Sequence, residues 1–149
     1  MSTSDIYGLK DRLKEFGYKF TDQRKAILDV LIAYSGDHLS TEEVYTRVKE
    51  KHPEMGIATV YRTLMLLEKL ELVCKLDLGD GFSRYELVKL NEDHRHHHLV
   101  CSCCKSVTEV EEDLLEALEQ QILQKNKFLV KDHRVMFYGL CENCRQKAD

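Results

Sequence analysis

No stretch of this chain approaches the length of apolar residues needed to cross a membrane. The N-terminus, Met1-Ser-Thr-Ser-Asp-Ile-Tyr7, has neither the basic region nor the apolar run of a secretory signal. A soluble, cytoplasmic protein is the expectation. Internal repeats and low-complexity tracts are also missing, which excludes a repeat array. Nor is there an excess of positive charge. The net charge is −4; residues 1–85 carry 13 Lys/Arg against 14 Asp/Glu, and residues 86–149 carry 9 against 12. A broadly basic surface is thereby excluded. Any nucleic-acid binding must come from a local cationic face with groove contacts, and bound divalent cations would offset the acidic half.

What is present suits one medium domain or two small ones: 149 residues, 43% of them hydrophobic, enough for compact cores. Ile6 to Phe16 reads as a short charged helix with Leu9, Leu13 and Phe16 three and four residues apart, ended by Gly17. Thr21 is a candidate N-cap for a helix through Tyr34, with Ile27, Val30, Leu31 and Tyr34 on one face. Ser40-Thr-Glu-Glu43 has capping-box spacing and opens a helix whose stripe is Val44, Tyr45 and Val48. After a turn at Pro53 and Gly56, Val60, Leu64, Leu67 and Leu70 line the inner face of the next helix. Leu72 to Leu76, Asp80-Gly81 and Phe82 to Leu87 read as a β-hairpin. Three helices and a trailing hairpin describe a winged helix-turn-helix, although other small α+β domains share the pattern.

Residues 88–93 are polar enough for a linker. Beyond it, Leu99-Val100 and Val107 to Val110 read as strands, and Asp113 to Lys125 as a helix with Leu114, Leu118 and Ile122 inward. Phe128 to Val130 and Val135 to Leu140 are expected to complete a small sheet. The expected organisation is α+β: a winged-helix domain over 1–87, a linker over 88–93, and a small α/β domain over 94–149. The second is too small to be comfortable alone and should lean on a metal or a partner.

Cys101-Ser-Cys-Cys104 and Cys141-Glu-Asn-Cys144 are two CxxC knuckles separated by 36 residues. In a reducing cytosol such pairs point to metal rather than disulfides. Two CxxC turns supply a closed tetrahedral thiolate set, which suits structural zinc with no open position for water. The rival is a CxxC thiol redox enzyme, which needs the pair at a helix N-terminus in a βαβ context; here both pairs follow strands and are themselves paired. Cys103 is read as a bystander thiol and Cys74 as a buried core cysteine.

Five of the seven histidines lie in the second half, four of them in Asp93-His-Arg-His-His-His98. That run directly precedes a strand, so His96 and His98 share one face, beside a knuckle that already implies metal. Here the chain resembles the ferric uptake regulator (Fur) family over nearly its full length. The resemblance is carried by Gly56-Ile-Ala-Thr-Val-Tyr-Arg62, Ser83-Arg-Tyr-Glu-Leu87, His96-His-His-Leu-Val-Cys-Ser-Cys-Cys104, Asp132-His133 and Phe137-Tyr-Gly-Leu-Cys-Glu-Asn-Cys144.

That resemblance implies a winged-helix DNA-binding domain followed by a dimerisation domain, no catalytic residues, and three metal positions. The four cysteines are one. The regulatory site maps onto His38, Glu86, His96 and His98, with Glu109 as a fifth ligand. A third maps onto His97, Glu116 and His133. A further ligand of that site would fall at Arg95, which cannot coordinate metal; His94 is the candidate substitute. An all-nitrogen-and-oxygen regulatory set suits ferrous iron or manganese, and zinc or cobalt would also bind. The zinc-sensing branch tends to place a cysteine in this set, and none aligns here. The peroxide-sensing branch carries Asp at the position of Glu109, so Glu109 tilts the choice towards an iron sensor.

On the helix from Ile57, Thr59, Tyr61 and Arg62 point outward. Arg62 can reach a phosphate or a guanine edge, and Tyr61 thymine methyl groups. Lys19 and Arg24 match family positions that approach the backbone or the minor groove. The implied protein is a homodimer that binds an A/T-rich palindromic operator when loaded with metal and represses iron-acquisition genes. A metal buffer with no DNA contact is the alternative from another class.

Overall fold

Capping chemistry and apolar stripes build the first half of the chain. In the computed structural model, backbone is described for residues 3–88, 97–110 and 112–148, and side chains for 8–88, 97–110 and 112–147. The chain divides into two units, Met1–Leu90 and Asn91–Asp149. Most of the expected linker, with His94, Arg95 and His96, lies outside the described residues.

The first unit runs α1 (Thr3–Glu15), α2 (Asp22–Ala33), β1 (Leu39–Ser40), α3 (Thr41–Lys51), α4 (Ile57–Lys69), β2 (Val73–Asp77) and β3 (Ser83–Leu87). Helix α1 stops because Gly17 takes a left-handed φ of 79°, so that Gly17 N and Tyr18 N can bond Lys14 O and Leu13 O. Helix α2 starts where Thr21 Oγ1 accepts from Arg24 N at 3.3 Å. At α3 the capping box is complete: Ser40 Oγ accepts from Glu43 N at 3.2 Å, and Glu43 Oε2 accepts from Ser40 N at 2.7 Å. Each cap satisfies backbone donors that the first turn would leave open, a contribution of about 1 kcal/mol.

The expected stripe of α4 is the centre of this unit's core. Val60, Leu64 and Leu67 are wholly buried, and they pack with Leu13, Ile27 and Val44. Strands β1, β3 and β2 form an antiparallel sheet in that order, with Leu39 opposite Tyr85 and Lys75 also opposite Tyr85. The two-residue strand β1 has no periodic signal of its own; its pairing with β3 defines it.

The second unit has β4 (His97–Cys101), β5 (Val107–Val110), α5 (Glu116–Asn126), β6 (Met136–Gly139) and α6 (Glu142–Ala148), with strand order β5-β4-β6. β4 pairs antiparallel with β5 and parallel with β6. Three expectations change here. Helix α5 begins at Glu116, not Asp113, because Leu114 and Leu115 form a turn over Asp113 Oδ1, which accepts from Leu115 N at 2.9 Å. None of its residues is buried; Leu118 is 50% exposed and Leu114, just before the helix, 52%. Finally, residues 128–130 are not a strand, and Phe128 and Leu129 are 62% and 64% exposed. These side chains are apolar, but a three-stranded sheet offers too little surface to cover them all.

Candidate metal centres and nucleic-acid face

Strand β4 delivers Cys101 at its end, and the turn after it brings Cys104 back. The turn closes with Lys105 N on Cys101 O at 2.9 Å and Lys105 in a left-handed φ of 61°. Cys141 stands at the start of α6 and Cys144 within its first turn. The four sulfurs lie within 4.8 Å of one another, and Cys104 and Cys141 Sγ are 3.8 Å apart. Sulfurs around a tetrahedral zinc with bonds of about 2.3 Å are about 3.8 Å apart, so the cluster fits that ion. Backbone N–H groups, that of Cys141 foremost, pull the Cys101 thiol down to about 6. Cys104 is lowered by the Ser106 hydroxyl at 3.1 Å. Cys144 is raised, chiefly by the neighbouring Cys141. Four thiols this close cannot all ionise without a cation among them.

The second CxxC does sit at a helix start, contrary to the expectation that both pairs merely follow strands. Its convergence with Cys101 and Cys104 still separates it from a solitary redox pair. Cys103 is exposed, and Cys74 is half-buried on β2 rather than a core residue.

The expected regulatory ligands form two sets, one in each unit. In the first unit, His38 precedes β1 with a left-handed φ of 51°, and its Nε2 is 3.6 Å from Glu86 Oε2 on β3. In the second unit, His98 on β4 stands directly opposite Glu109 on β5. Opposed residues of an antiparallel pair project to the same face with Cβ atoms about 5 Å apart, within reach of one ion. Each pair thus offers one imidazole and one carboxylate.

The third set differs from expectation. His97 on β4, Asp113 before α5 and His133 before β6 bring ligand atoms within 4.8 Å of one another. Asp113 Oδ1 lies 3.8 Å from both His97 Nε2 and His133 Nε2. The two rings stack with centroids 5.2 Å apart. His133 Nδ1 donates to Glu119 Oε1, while its Nε2 is buried without a hydrogen-bond partner. Leu114 N donates to His97 Nε2 at 3.3 Å. Glu116 is exposed and outside this group. The turn at Leu114-Leu115 moves Asp113 off the helix and into the set, and Glu119, three residues beyond Glu116, meets His133 instead. Glu116 and Glu119 stand three apart on α5, and their spacing alone does not say which of them reaches inward. An orphaned imidazole nitrogen beside a carboxylate, with the other nitrogen held by a second carboxylate, is the arrangement that suits a cation.

On the nucleic-acid side, Tyr61 and Arg62 are exposed on α4, Tyr61 by 52%, and Thr59 is half-buried. Lys19 is exposed. Arg24 is engaged within the chain: its guanidinium donates to Lys19 O and lies 5.8 Å from the Tyr18 ring centroid. It braces the loop that presents Lys19. Among the described residues no helix is long and apolar enough to cross a membrane.

Residues 15–138 match the profile of the ferric uptake regulator family. The Ferric uptake regulation protein of Bacillus subtilis is 52% identical over 139 residues, 93% of each chain. The solved ferric uptake regulator of Helicobacter pylori, described as having three functional metal binding sites, superposes with a TM-score of 0.77 at 28% identity, covering 95% of this chain and 92% of that one. The Francisella tularensis ferric uptake regulator, solved with iron, gives a TM-score of 0.72 at 32% identity, covering 87% and 96%.

Proposed function

This chain belongs to the ferric uptake regulator family, and from that premise we propose that it is a cytoplasmic, metal-responsive repressor that binds operator DNA as a dimer when loaded with ferrous iron or manganese. The observation that carries the reading is the matched pair of half-sets, His38–Glu86 in the first unit and His98–Glu109 in the second. With His96, which the family resemblance adds, these residues would supply an all-nitrogen-and-oxygen donor set for one regulatory ion. An ion held by both half-sets would fix the angle of the reading head, favouring the arrangement whose two α4 helices fit an A/T-rich palindrome. Glu109, rather than aspartate, keeps the iron-sensing reading ahead of the peroxide-sensing one. The regulated genes are those of iron acquisition.

Zinc in the four-cysteine cluster has a structural part: it ties the end of β4 to the start of α6 in a unit whose own core is thin. The His97–Asp113–His133 set, oriented by Glu119, is a further divalent-cation site. Phe128, Leu129, Tyr138 and Leu140, all more than half exposed, supply the apolar surface for a second copy.

The test is anaerobic DNA binding of the zinc-loaded protein, titrated with ferrous iron, manganese and additional zinc, with zinc content measured alongside. A rise in affinity of about 5- to 150-fold is expected with iron or manganese. Equal affinity with and without these metals overturns the reading.

A further inference from the structure

Beyond the metal ligands and the recognition helix, one half-buried side chain in the first unit, that of Arg84, connects residues that otherwise have no reason to act together. We infer that Arg84 is the positioning residue through which the metal state of the His38–Glu86 pair reaches the wing, the β2–β3 turn at residues 78–82. The inference rests on the metal-responsive reading above and names how the signal leaves that pair.

Arg84 and Glu86 alternate on β3 and therefore project from the same face of the strand. His38 addresses both. Its ring lies 3.6 Å from Glu86, and its carbonyl accepts from Arg84 Nη1 at 3.5 Å. The same Nη1 donates to Glu43 Oε2 at 3.1 Å, the oxygen that closes the capping box on Ser40. Nη2 donates to Asp80 Oδ2 at 2.7 Å, and Asp80 Oδ1 accepts from Phe82 N at 3.1 Å, which ties the tip of the wing. Arg84 and Asp80 side chains are only 21% and 19% exposed. Their attraction is visible in both partners: the Arg84 hydrogen bond holds the Asp80 carboxyl below its ordinary range, and Asp80 raises Arg84.

A planar fork is needed to hold a wing carboxylate on one side and the α3 cap on the other; a lysine offers a single point charge and cannot grip both. His38 sits in a left-handed conformation, which a residue with a Cβ keeps only where its surroundings over-determine it. A cation on its ring adds such a constraint, and the carbonyl of that same residue is held by Arg84. Restraint of His38 and Glu86 is thus restraint of both ends of β3, with the fork carrying it to Asp80 and the wing.

The experiment uses the full chain, manganese under anaerobic conditions, and a duplex selected from a random pool by the manganese-loaded wild type. DNA affinity is measured with and without manganese for wild type, Arg84→Met, Arg84→Lys and Asp80→Asn; manganese affinity is measured without DNA; and amide exchange is followed at Phe82. Wild type should gain about 5- to 150-fold in DNA affinity from manganese. Arg84→Met should cut that gain to under about 3-fold with manganese affinity little changed, since energetic coupling rather than metal ligation is lost. Arg84→Lys should fall between the two. Asp80→Asn should also reduce the gain, and should add nothing on top of Arg84→Met, as links of one chain do. Manganese should slow exchange at Phe82 in wild type and not in Arg84→Met. If Arg84→Met does not fold, Asp80→Asn and Arg84→Lys still decide the matter. Full manganese stimulation in the folded variants overturns the inference and leaves the metal-responsive reading standing. Wild-type behaviour of Arg84→Lys with loss in Arg84→Met also overturns it, because charge at a phosphate would then suffice. No stimulation in wild type overturns both.

Discussion

His133 is held through Nδ1 by Glu119, and this turns its Nε2 to within 3.8 Å of Asp113 Oδ1, where that nitrogen is buried without a hydrogen-bond partner. The carboxylate therefore sets both the tautomer and the direction of the imidazole. Glu119→Ala should weaken divalent-metal binding at this set by about 10- to 100-fold, as loss of an orienting partner does. His133→Ala should abolish it, and Glu116→Ala should leave it unchanged. Cobalt titrations followed by visible absorption measure all three; equal losses from Glu116→Ala and Glu119→Ala would return Glu116 to the site.

Removal of zinc should unravel the second unit before the first. The four thiols connect β4 to α6, whereas the first unit has its own core around Leu64 and Leu67. Cys144→Ser, or extended chelation, should cost one zinc per chain and the amide-exchange protection of β4 and β6. The helices α2 to α4 should stay protected, because their packing owes nothing to the metal. Simultaneous loss of protection in both units would contradict this.

Glu71 occupies a position that asks for glycine. Its φ is 57°, and Glu71 N and Leu72 N bond Glu68 O and Leu67 O, the same arrangement that Gly17 completes after α1. A left-handed residue with a Cβ costs about 1–2 kcal/mol, and glycine returns part of this as unfolded-state entropy, about 0.5–1 kcal/mol. Glu71→Gly should raise stability by roughly 0.5–1 kcal/mol in urea unfolding. Gly17→Ala should lower it by a similar amount. Destabilisation by Glu71→Gly would mean that its side chain makes a contact worth more than the strain.

The sequence was most informative where local chemistry decides structure. Ser40 and Glu43 announced a helix start that both hydrogen bonds complete, and Val60, Leu64 and Leu67 announced the face that is buried. The CxxC spacing brought four sulfurs together. It was least informative in residues 113–130. There Leu114 and Leu118 read as inward and Phe128 to Val130 as a strand, yet Leu114, Leu118, Phe128 and Leu129 are half or more exposed. An apolar pattern states that a residue seeks cover and not which molecule provides it. Asp113 and Glu119 escaped for another reason: a one-turn difference in where α5 begins exchanges which carboxylate reaches His133.

That exposed surface yields a direct expectation. Leu129 is 64% exposed, and burying a leucine side chain contributes about 1.5–3 kcal/mol. Leu129→Glu should convert dimers to monomers at micromolar concentration in sedimentation experiments, with zinc content retained. A dimer of undiminished stability would place the interface elsewhere.

The central claim is that a single ion takes ligands from both units. Pulsed electron paramagnetic resonance of one equivalent of manganese, in protein carrying His133→Ala to silence the third set, counts the coordinated imidazole nitrogens. The account predicts three, from His38, His96 and His98, with one lost in His38→Ala and one in His98→Ala. Nitrogen couplings that His38→Ala leaves untouched while His98→Ala removes one would contradict it, because the ion would then belong to the second unit alone.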